Sequence, residues 1–335
     1  MEVEFSLPLA RQAWQAAQAG VHPVDLCVAW ISARSKLFRG GWGDEVFLAR
    51  IPEFRAYLNS LPAIDIDWLA TVVRRSGIHV RDGRFPSPVG SLPAEAATAY
   101  VRAWERKGNR TACVLLAASR DEGYGVRERV FGSLAERGLN LYILENAFYG
   151  LRRTPAGPSL ATVSDHILMV LATLCEARVL LKYLGDRYTK LVVAGYSMGG
   201  HMAALAAAGS PMPVACAALA TGASGSAVYT RGLLQWSVDF PGLAGDPNNV
   251  GDARNRLEQL FLTADITQHP KPLRSDAAIV AGCTRDAYVL RTETERLHRH
   301  WAGSTLRWID AGHFSALATS RRSLCDCVIE AAAKL

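Results

Sequence analysis

The sequence predicts an α/β fold in which a mainly parallel central sheet is covered by helices on both faces. Strand and helix candidates alternate from residue 112 to the C-terminus, and several strand candidates are apolar throughout, as in a sheet that is buried on both sides. Half of the 335 residues are hydrophobic and a fifth are charged. This composition suits one large domain with a buried core, or a core domain with an appendage.

Residues 1–75 differ from the rest and predict a helical N-terminal extension that packs on the core. Helical spacing runs through Ala10–Ala19, Pro23–Leu37 and Glu45–Leu58, and breaks that contain Gly or Pro separate these segments. We therefore expect two parts, an extension over residues 1–75 and an α/β domain over residues 76–335.

The α/β domain is expected to begin with a strand pair. The short stretches Ile78–Val80 and Gly83–Phe85 flank the polar dipeptide Arg81-Asp82, which is typical of two strands with a tight connection.

Alternation follows along the rest of the chain. The predicted strands are Ala112–Ala118, Leu139–Glu145, Lys190–Gly195, Val214–Thr221, Ala277–Gly282 and Thr305–Ile309. The predicted helices are Gly125–Arg137, Ser164–Leu184, Gly199–Ala208, Thr292–Trp301 and Arg321–Lys334. Such a pattern indicates right-handed crossovers between parallel strands.

One long segment interrupts the alternation. Gly222–Asp276 spans 55 residues without a clear strand, yet it contains apolar residues such as Trp236, Phe240 and Phe261. Because a loop of that length is rarely structureless, we expect a helical cap or lid placed over the carboxyl ends of the strands.

Membrane insertion and export are not indicated. Leu191–Thr230 contains no charged residue and is long enough to cross a bilayer, but several Gly and Pro residues divide it, as in the buried centre of a parallel sheet. Met1–Phe5 carries two acids, which does not match a signal or transit peptide. We expect a cytoplasmic protein.

Charge and cysteine content argue against other classes of protein. The net charge of +6 is modest and basic pairs such as Arg74-Arg75 and Arg321-Arg322 are scattered, so nucleic-acid binding is not expected. Weak peripheral contact with an anionic membrane is the minor alternative to ordinary surface charge. The seven cysteines form no CxxC pair, which predicts neither a disulfide framework nor a zinc site. We expect no cofactor and no metal, and the sequence leaves the oligomeric state open.

A turn of the form Gly-x-Ser-x-Gly carries the predicted chemistry. Gly195-Tyr196-Ser197-Met198-Gly199 follows the apolar strand Leu191–Ala194 and precedes a helix of small residues. In this context the serine occupies a strained corner between strand and helix, and small neighbours let the two elements approach closely. Ser197 is therefore the predicted nucleophile.

A serine nucleophile needs a base and an acid that orients the base. Asp286 follows the strand Ala277–Gly282, and His313 follows the strand Thr305–Ile309. The order Ser, acid, His is that of the α/β-hydrolase fold. The separation of 27 positions from Asp286 to His313 leaves room for one helix and one strand. We therefore predict an α/β-hydrolase fold with Ser197, Asp286 and His313 as its triad.

Other acids and histidines are less well placed. Asp310 is expected to be a neighbouring or capping residue, and Asp265 lies in the presumed lid. His201 is expected to pack or hydrogen-bond on the helix after the elbow. His166 breaks the chain order, and His298 and His300 are expected at solvated helix positions.

The oxyanion hole is expected to use two main-chain amides. One belongs to Met198, directly after the nucleophile, and the second to Ser119, or less favourably Ala118, after the strand Ala112–Ala118. The candidates for the substrate pocket are Arg120, Tyr196, Tyr149 and Trp236. Arg120 faces an anionic part of the substrate or forms a salt bridge with a neighbouring acid.

Several stretches resemble a narrower family. They are Lys36–Gly43, Leu144–Gly150 with Arg152, Ser197–Ala203, Asp286–Val289 with Arg291, and Gly312-His313. The chain is similar to the family of α/β-hydrolase domain-containing protein 18, from about residue 36 to the C-terminus. In that resemblance the family's Ser, Asp and His fall on Ser197, Asp286 and His313. It implies a serine hydrolase that acts on acyl esters, with lipids among the candidate substrates.

The chain departs from this family in one loop. The family reads roughly Gly-Thr-Gly-Asp-His there, whereas this chain reads Ala118-Ser119-Arg120-Asp121-Glu122. A position that requires a positive φ resists Ala or Arg. The sequence therefore predicts either an oxyanion hole of altered geometry or a relative that binds ligands or partners without catalysis. Amidase and thioesterase chemistry share the same machinery and stay open.

Overall fold

The computed structural model of the chain describes residues 7–53, 58, 60–69, 71–73, 77–154 and 161–335. Among these residues, ten strands form a single sheet. They are β1 (Asp67–Trp68), β2 (Val72–Val73), β3 (His79–Pro86), β4 (Thr98–Glu105), β5 (Thr111–Leu116), β6 (Leu139–Leu144), β7 (Lys190–Tyr196), β8 (Ala215–Leu219), β9 (Ala278–Cys283) and β10 (Thr305–Ile309).

The sheet is parallel in its centre and antiparallel at one side. The spatial order is β1-β3-β4-β6-β5-β7-β8-β9-β10, with β2 paired to β3. The six strands from β6 to β10 in this order pair in parallel, and the pairs at the β1–β4 side are antiparallel. The predicted mainly parallel sheet is confirmed.

The predicted strand pair at residues 78–85 was wrong. β3 is one continuous strand, and β4, which the sequence did not predict, pairs along its whole length. Arg81 and Asp82 form no turn, because their side chains pair across the strands with Glu105 and Arg102. Two consecutive charged residues that pair across neighbouring strands resemble a polar turn when only the sequence is read.

Helices alternate with the parallel strands. They are α1 (Leu7–Gln18), α2 (Pro23–Ser32), α3 (Glu45–Ala49), α4 (Gly125–Phe131), α5 (Val163–Gly185), α6 (Met198–Ala208), α7 (Ser226–Thr230), α8 (Phe240–Ala244), α9 (Val250–Leu262), α10 (Arg291–His300), α11 (Ser315–Thr319) and α12 (Arg321–Ala333). Short 3-10 turns lie at Ile51–Glu53, Ala94–Ala96, Gly132–Ala135, Gly150–Arg152, Leu233–Ser237, Pro247–Asn249, Ile266–Gln268 and Ser275–Ala277.

Two hydrophobic cores lie on the two faces of the sheet. Helices α5, α6 and α10 supply the first, with residues such as Leu180, Met202 and Leu297. Helices α4 and α12 supply the second, with residues such as Phe131 and Val328. Both faces are therefore covered by helices, as the sequence predicts. The uncharged stretch from Leu191 to Thr230 forms part of this interior, and no helix among the described residues is long and apolar enough to cross a bilayer.

The N-terminal region joins the core rather than standing apart. Its helices α1–α3 lie at the three predicted segments, but α2 ends at Ser32 instead of Leu37 and α3 ends at Ala49. Part of Glu45–Leu58 lies outside the described residues. Strands β1 and β2 also fall in this region, so the described part of residues 1–75 is not wholly helical. The main chain of Leu37 pairs with the segment at Val238.

The long insertion after β8 is helical where a cap was expected. Residues 222–276 form α7, α8, α9 and short 3-10 turns, and they contain no strand among the residues the structure describes. Helix α9 packs on α7 and α8, and Tyr229 and Phe261 of this insertion share a core with α5.

Candidate active site

Ser197 lies at the corner between β7 and α6. Its backbone has φ 57° and ψ −120°, a conformation that L-residues rarely adopt and that is found at functional sites. A Cβ atom on Gly195 would be 2.3 Å from the main chain of Gly199, and one on Gly199 would be 2.3 Å from the carbonyl oxygen of Leu116. Both positions therefore require glycine for strand and helix to meet at this angle.

Three predicted side chains meet at this corner. The Oγ atom of Ser197 lies 2.8 Å from Nε2 of His313. On the other side of the imidazole ring, Nδ1 lies 2.6 Å from Oδ2 of Asp286. These residues follow β7, β9 and β10, whose carboxyl ends lie at the same edge of the sheet. The structure thus brings together Ser197, Asp286 and His313 in one hydrogen-bonded chain.

The carboxylate of Asp286 is held in place by its own loop. Its Oδ1 atom accepts hydrogen bonds from the main-chain amides of Tyr288 at 2.7 Å and Val289 at 3.0 Å. This leaves Oδ2 directed at His313. The side chain of Asp286 is buried, so its negative charge acts on the imidazole with little screening by solvent.

Two opposing effects set the protonation of His313. Burial works to lower the pKa of the imidazole, but the negative charge of Asp286 and the hydrogen bond to it raise the pKa by more, so the pKa lies above its usual value of 6.5. The ring of Tyr288 stacks on the imidazole with centroids 5.2 Å apart. An imidazole held in this way can take up a proton from Ser197 and keep its orientation.

The loop after β5 borders the cavity at Ser197. Ser119 lines the same cavity as Ser197 and Met198, and the amides of Ser119 and Met198 donate to no other described residue. The amide of Arg120 instead donates to the hydroxyl of Tyr149 at 3.0 Å. Ser119 and Met198 therefore stay the candidates for the two donors.

Arg120 itself adopts a left-handed backbone, with φ 63°. The sequence places this residue where the similar family has its second glycine, and the structure shows that the position does require a positive φ. Arg120 therefore adopts the left-handed conformation that a glycine would adopt without strain, and its Cβ atom makes this conformation unfavourable. Its side chain is exposed, with Nη2 3.5 Å from the carbonyl oxygen of Ser35.

Buried charged residues hold this loop through an ion pair and hydrogen bonds. Asp121 forms an ion pair with Arg127 at 3.0 Å, and Arg127 also donates to the carbonyl oxygens of Leu144 and Gly123. Glu145 accepts a hydrogen bond from the amide of Gly123 at 3.0 Å. Burial raises the pKa of Glu145 to about 7. The loop is thus tied to the start of α4 and the end of β6.

A largely apolar cavity of about 790 Å³, including its open mouth, begins at Ser197. We refer to it as the Ser197 cavity. Its walls come from α5, α6 and the helical insertion, and its apolar lining includes Ile167, Val170, Met202, Val228, Leu260 and Phe261. His166 and Tyr229 also line it, with Nε2 of His166 3.2 Å from the hydroxyl of Tyr229. The insertion therefore forms one wall of the site.

Four predicted pocket residues lie outside this lining. Tyr149 is buried and binds the Arg120 amide, and Arg120 is exposed. Tyr196 is buried beneath the elbow, where its hydroxyl donates to the carbonyl oxygen of His313. Trp236 packs against α2 and donates to Oε1 of Gln12 at 2.8 Å. The sequence shows that these aromatic residues are near the site but not which way they face.

The competing acids and histidines have other partners. Asp310 accepts from the hydroxyl of Thr284 at 3.0 Å, and Asp265 pairs with Arg296 at 2.6 Å. The Nε2 atom of His201 lies 3.0 Å from the carbonyl oxygen of Ala264, which links α6 to the insertion. Among the described residues, no group of three or more His, Cys, Asp or Glu side chains is arranged to bind a metal ion.

One residue near His313 was not anticipated from the sequence. Asp25 of α2 is fully buried, and its two carboxylate oxygens accept the main-chain amides of His313 and Phe314. Its position in an ordinary helical pattern gives no signal for this contact.

Solved structures of esterases share the fold. An acetyl xylan esterase from Paenibacillus sp. R4 has a TM-score of 0.57 and 14% identity, covering 87% of this chain and 97% of its own. Acetyl xylan esterase 1 from Thermoanaerobacterium sp. JW/SL YS485 has a TM-score of 0.58 and 12% identity, covering 88% and 98%. The rice cell wall degrading esterase LipA from Xanthomonas oryzae has a TM-score of 0.51 and 12% identity, covering 79% and 96%. At such identities the likeness shows the α/β-hydrolase fold alone.

The sequence also matches a described family. The match to alpha/beta hydrolase domain containing 18 covers residues 35–254 and 247–334, so it includes the elbow, the loop after β5 and both loops that carry Asp286 and His313. Because it spans most of the sequence, the chain belongs to the alpha/beta hydrolase domain containing 18 family.

Proposed function

We propose that the protein is a serine hydrolase that cleaves carboxylic acyl esters. The observation that carries this proposal is the hydrogen-bonded chain from Ser197 through His313 to Asp286, which begins at the floor of an apolar cavity. This arrangement supplies a nucleophile, a base in contact with it and an acid that orients the base.

In the first half of the reaction, Ser197 Oγ attacks the ester carbonyl carbon while Nε2 of His313 takes the hydroxyl proton. Asp286 keeps the proton on Nδ1 and stabilises the imidazolium that forms. The negative charge on the former carbonyl oxygen is stabilised by the amides of Ser119 and Met198. When the tetrahedral intermediate collapses, the bond to the alcohol breaks, and His313 gives its proton to the departing oxygen.

In the second half, the acyl group is an ester of Ser197. A water molecule attacks its carbonyl carbon and passes a proton to Nε2 of His313. The second tetrahedral intermediate releases the carboxylic acid, and His313 returns the proton to Ser197. The products are one alcohol and one carboxylic acid, and the triad is restored.

The lining of the Ser197 cavity indicates the acyl part of the substrate. Aliphatic and aromatic side chains from α5, α7 and α9 surround the space beyond Ser197, and an apolar acyl chain is the substrate part that such a surface favours. Acyl lipids fit this description. The acetyl esterases among the solved structures support ester cleavage in general, and amide and thioester substrates use the same triad.

The changed loop at Ala118–Glu122 suggests the alternative, a relative that binds ligands without turnover. Hydrolysis of p-nitrophenyl esters separates the two. We expect the wild-type protein to hydrolyse them and His313→Ala to lose about 10⁴-fold or more in kcat. His79→Ala, which changes an exposed histidine on β3, serves as the control and keeps wild-type activity. Equal activity of His313→Ala and wild type would exclude the proposed mechanism.

A further inference from the structure

A carboxylate from the N-terminal region reaches the loop that carries His313. Asp25 lies on α2, ahead of the residues that match the family. Its Oδ2 accepts the amide of His313 at 2.6 Å, and its Oδ1 accepts the amide of Phe314 at 2.9 Å. The residue that bears the imidazole is thus held through its main chain by a side chain 288 positions earlier.

The burial of Asp25 indicates a specific role. The side chain has no exposed surface, and a buried carboxylate is costly unless strong hydrogen bonds compensate. No described Lys or Arg side chain forms an ion pair with it, so the two amides are the partners that stabilise the charge. Hydrogen bonds of a carboxylate to main-chain amides are among the stronger ones in proteins.

The surrounding backbone is built to admit this carboxylate. A Cβ atom on Gly312 would lie 2.7 Å from Oδ2 of Asp25 and 2.4 Å from Cβ of His22, so the residue before His313 must be glycine. The amide of His22 donates to the carbonyl oxygen of Arg285 at 3.1 Å, directly before Asp286. The start of α2 therefore contacts both the acid loop and the histidine loop.

We propose that Asp25 is a positioning residue for His313, which fixes the main chain of the histidine so that its ring meets Ser197 and Asp286 together. This inference rests on the proposed function of Ser197. It gives α2 a role in holding the His313 loop, although Asp25 does not line the Ser197 cavity. The function it adds is alignment of the base, where small displacements have large effects on rate.

Asp25 also adds negative charge beside the imidazole. Its charge raises the pKa of His313 in addition to the larger effect of Asp286. Burial raises the pKa of Asp25 itself, and the hydrogen bonds from the amides of Phe314 and His313 oppose this shift and favour the charged carboxylate. The other titratable groups near this pair, among the described residues, are His22, Tyr196, Tyr288 and Cys283. Loss of the Asp25 charge therefore moves the pKa of His313 downward.

The test compares Asp25→Asn with Asp25→Glu and with a matched control. Asp44→Asn changes a carboxylate that likewise accepts two main-chain amides, those of Val46 and Phe47, at the start of α3. We expect Asp25→Asn to lower kcat by about 100-fold, with KM unchanged and the acid limb of the pH profile at lower pH. Asp25→Glu keeps the charge and misplaces it, so kcat falls while the pH profile stays. Asp44→Asn should keep the kcat, the KM and the pH profile of the wild type.

A second readout does not depend on ester hydrolysis. Histidine-selective ¹⁵N labelling follows the ring of His313 by NMR, and its pKa should fall in Asp25→Asn even when no substrate is turned over. In wild-type protein the ¹³Cγ signal of Asp25 should shift as His313 titrates, which needs no variant to fold. The proposal would be overturned if the pKa of His313 were the same in folded Asp25→Asn as in wild type. It would also be overturned if the ¹³Cγ chemical shift of Asp25 did not change while His313 titrates. If the wild-type protein hydrolysed no ester but the NMR measurements gave the expected shifts, the hydrolase proposal would be wrong and the proposed contact of Asp25 with the His313 loop would stand.

Discussion

The amide of Arg120 donates a hydrogen bond of 3.0 Å to the hydroxyl of Tyr149. This bond joins the loop after β5 to the loop after β6. It also engages the Arg120 amide, which leaves Ser119, a residue that lines the Ser197 cavity, as the proposed donor of this loop. Tyr149 thus acts on the proposed oxyanion hole through the backbone rather than through the substrate.

Removal of the Tyr149 hydroxyl should loosen the proposed oxyanion hole. We expect Tyr149→Phe to lower kcat for ester hydrolysis by about tenfold. Complete loss of one oxyanion-hole donor lowers kcat by about 100-fold or more, and this variant only loosens the loop that carries the donor. The free energy of unfolding should fall by about 1 kcal/mol. Tyr188→Phe, in the hydrogen-bond network with Tyr142 and Asn140, is the control for loss of a hydroxyl. An unchanged kcat in Tyr149→Phe would remove this tyrosine from the account.

The positive φ of Arg120 makes a prediction about stability. Replacement by glycine removes the strain of a Cβ atom in a left-handed backbone, whereas valine increases it. We expect Arg120→Gly to keep ester hydrolysis and to lie within about 1 kcal/mol of wild type in urea unfolding. Arg120→Val should lose about 2 kcal/mol or more. If valine were tolerated as well as glycine, the backbone strain assigned to this position would be wrong.

The lining of the Ser197 cavity predicts a dependence on acyl chain length. Val228 lies in its wall, so Val228→Phe should reduce the space for the acyl chain. We expect kcat/KM for long-chain p-nitrophenyl esters to fall by about tenfold or more, because the displaced methylenes lose their apolar contacts, while acetyl ester hydrolysis is retained. A uniform loss for all chain lengths would show that the chain does not occupy this space.

His166 predicts how stability changes with pH. Burial lowers the pKa of this histidine to about 4, below its ordinary value of 6.5, so the unfolded chain binds a proton more readily than the folded one. The contribution of His166 to the free energy of unfolding is therefore complete above pH 6.5 and is lost as the pH falls toward 4. Between pH 7 and pH 5 it amounts to about 2 kcal/mol.

The measurement is urea unfolding at both pH values. The wild type should lose about 2 kcal/mol more than His166→Gln over this interval, because glutamine carries no titrating group. All other titrating residues are common to both proteins and cancel in the comparison. Parallel losses in the two proteins would mean that His166 is not buried as a neutral ring.

The parts of the site that the sequence predicted follow from local pattern and chain order. The small residues around Ser197 indicate the corner, and parallel strands bring the residues after β9 and β10 to the same edge. Asp286 and His313 could therefore be placed beside Ser197 without coordinates. The same argument predicted the central sheet and the helices on its two faces.

Other features depend on contacts that the sequence does not encode locally. Asp25 binds main-chain amides, which any residue carries, so its role in the His313 loop has no sequence signature. Tyr196 belongs to the elbow and Tyr149 follows β6, but only the structure shows that their hydroxyls bind backbone groups. Arg81 and Asp82 read as a turn because two consecutive charged residues are unusual inside a strand. Their ion pairs with Glu105 and Arg102, which lie far away in the sequence, make the strand possible.

Reaction of Ser197 with a fluorophosphonate probe tests the central claim most directly, since the probe reacts with a serine that its neighbours have activated. We expect the wild-type protein to be labelled, with the added mass on the peptide that contains Ser197, and Ser197→Ala to be unlabelled. Equal labelling of the two proteins, or an adduct on another residue, would contradict the assignment of Ser197 as the nucleophile.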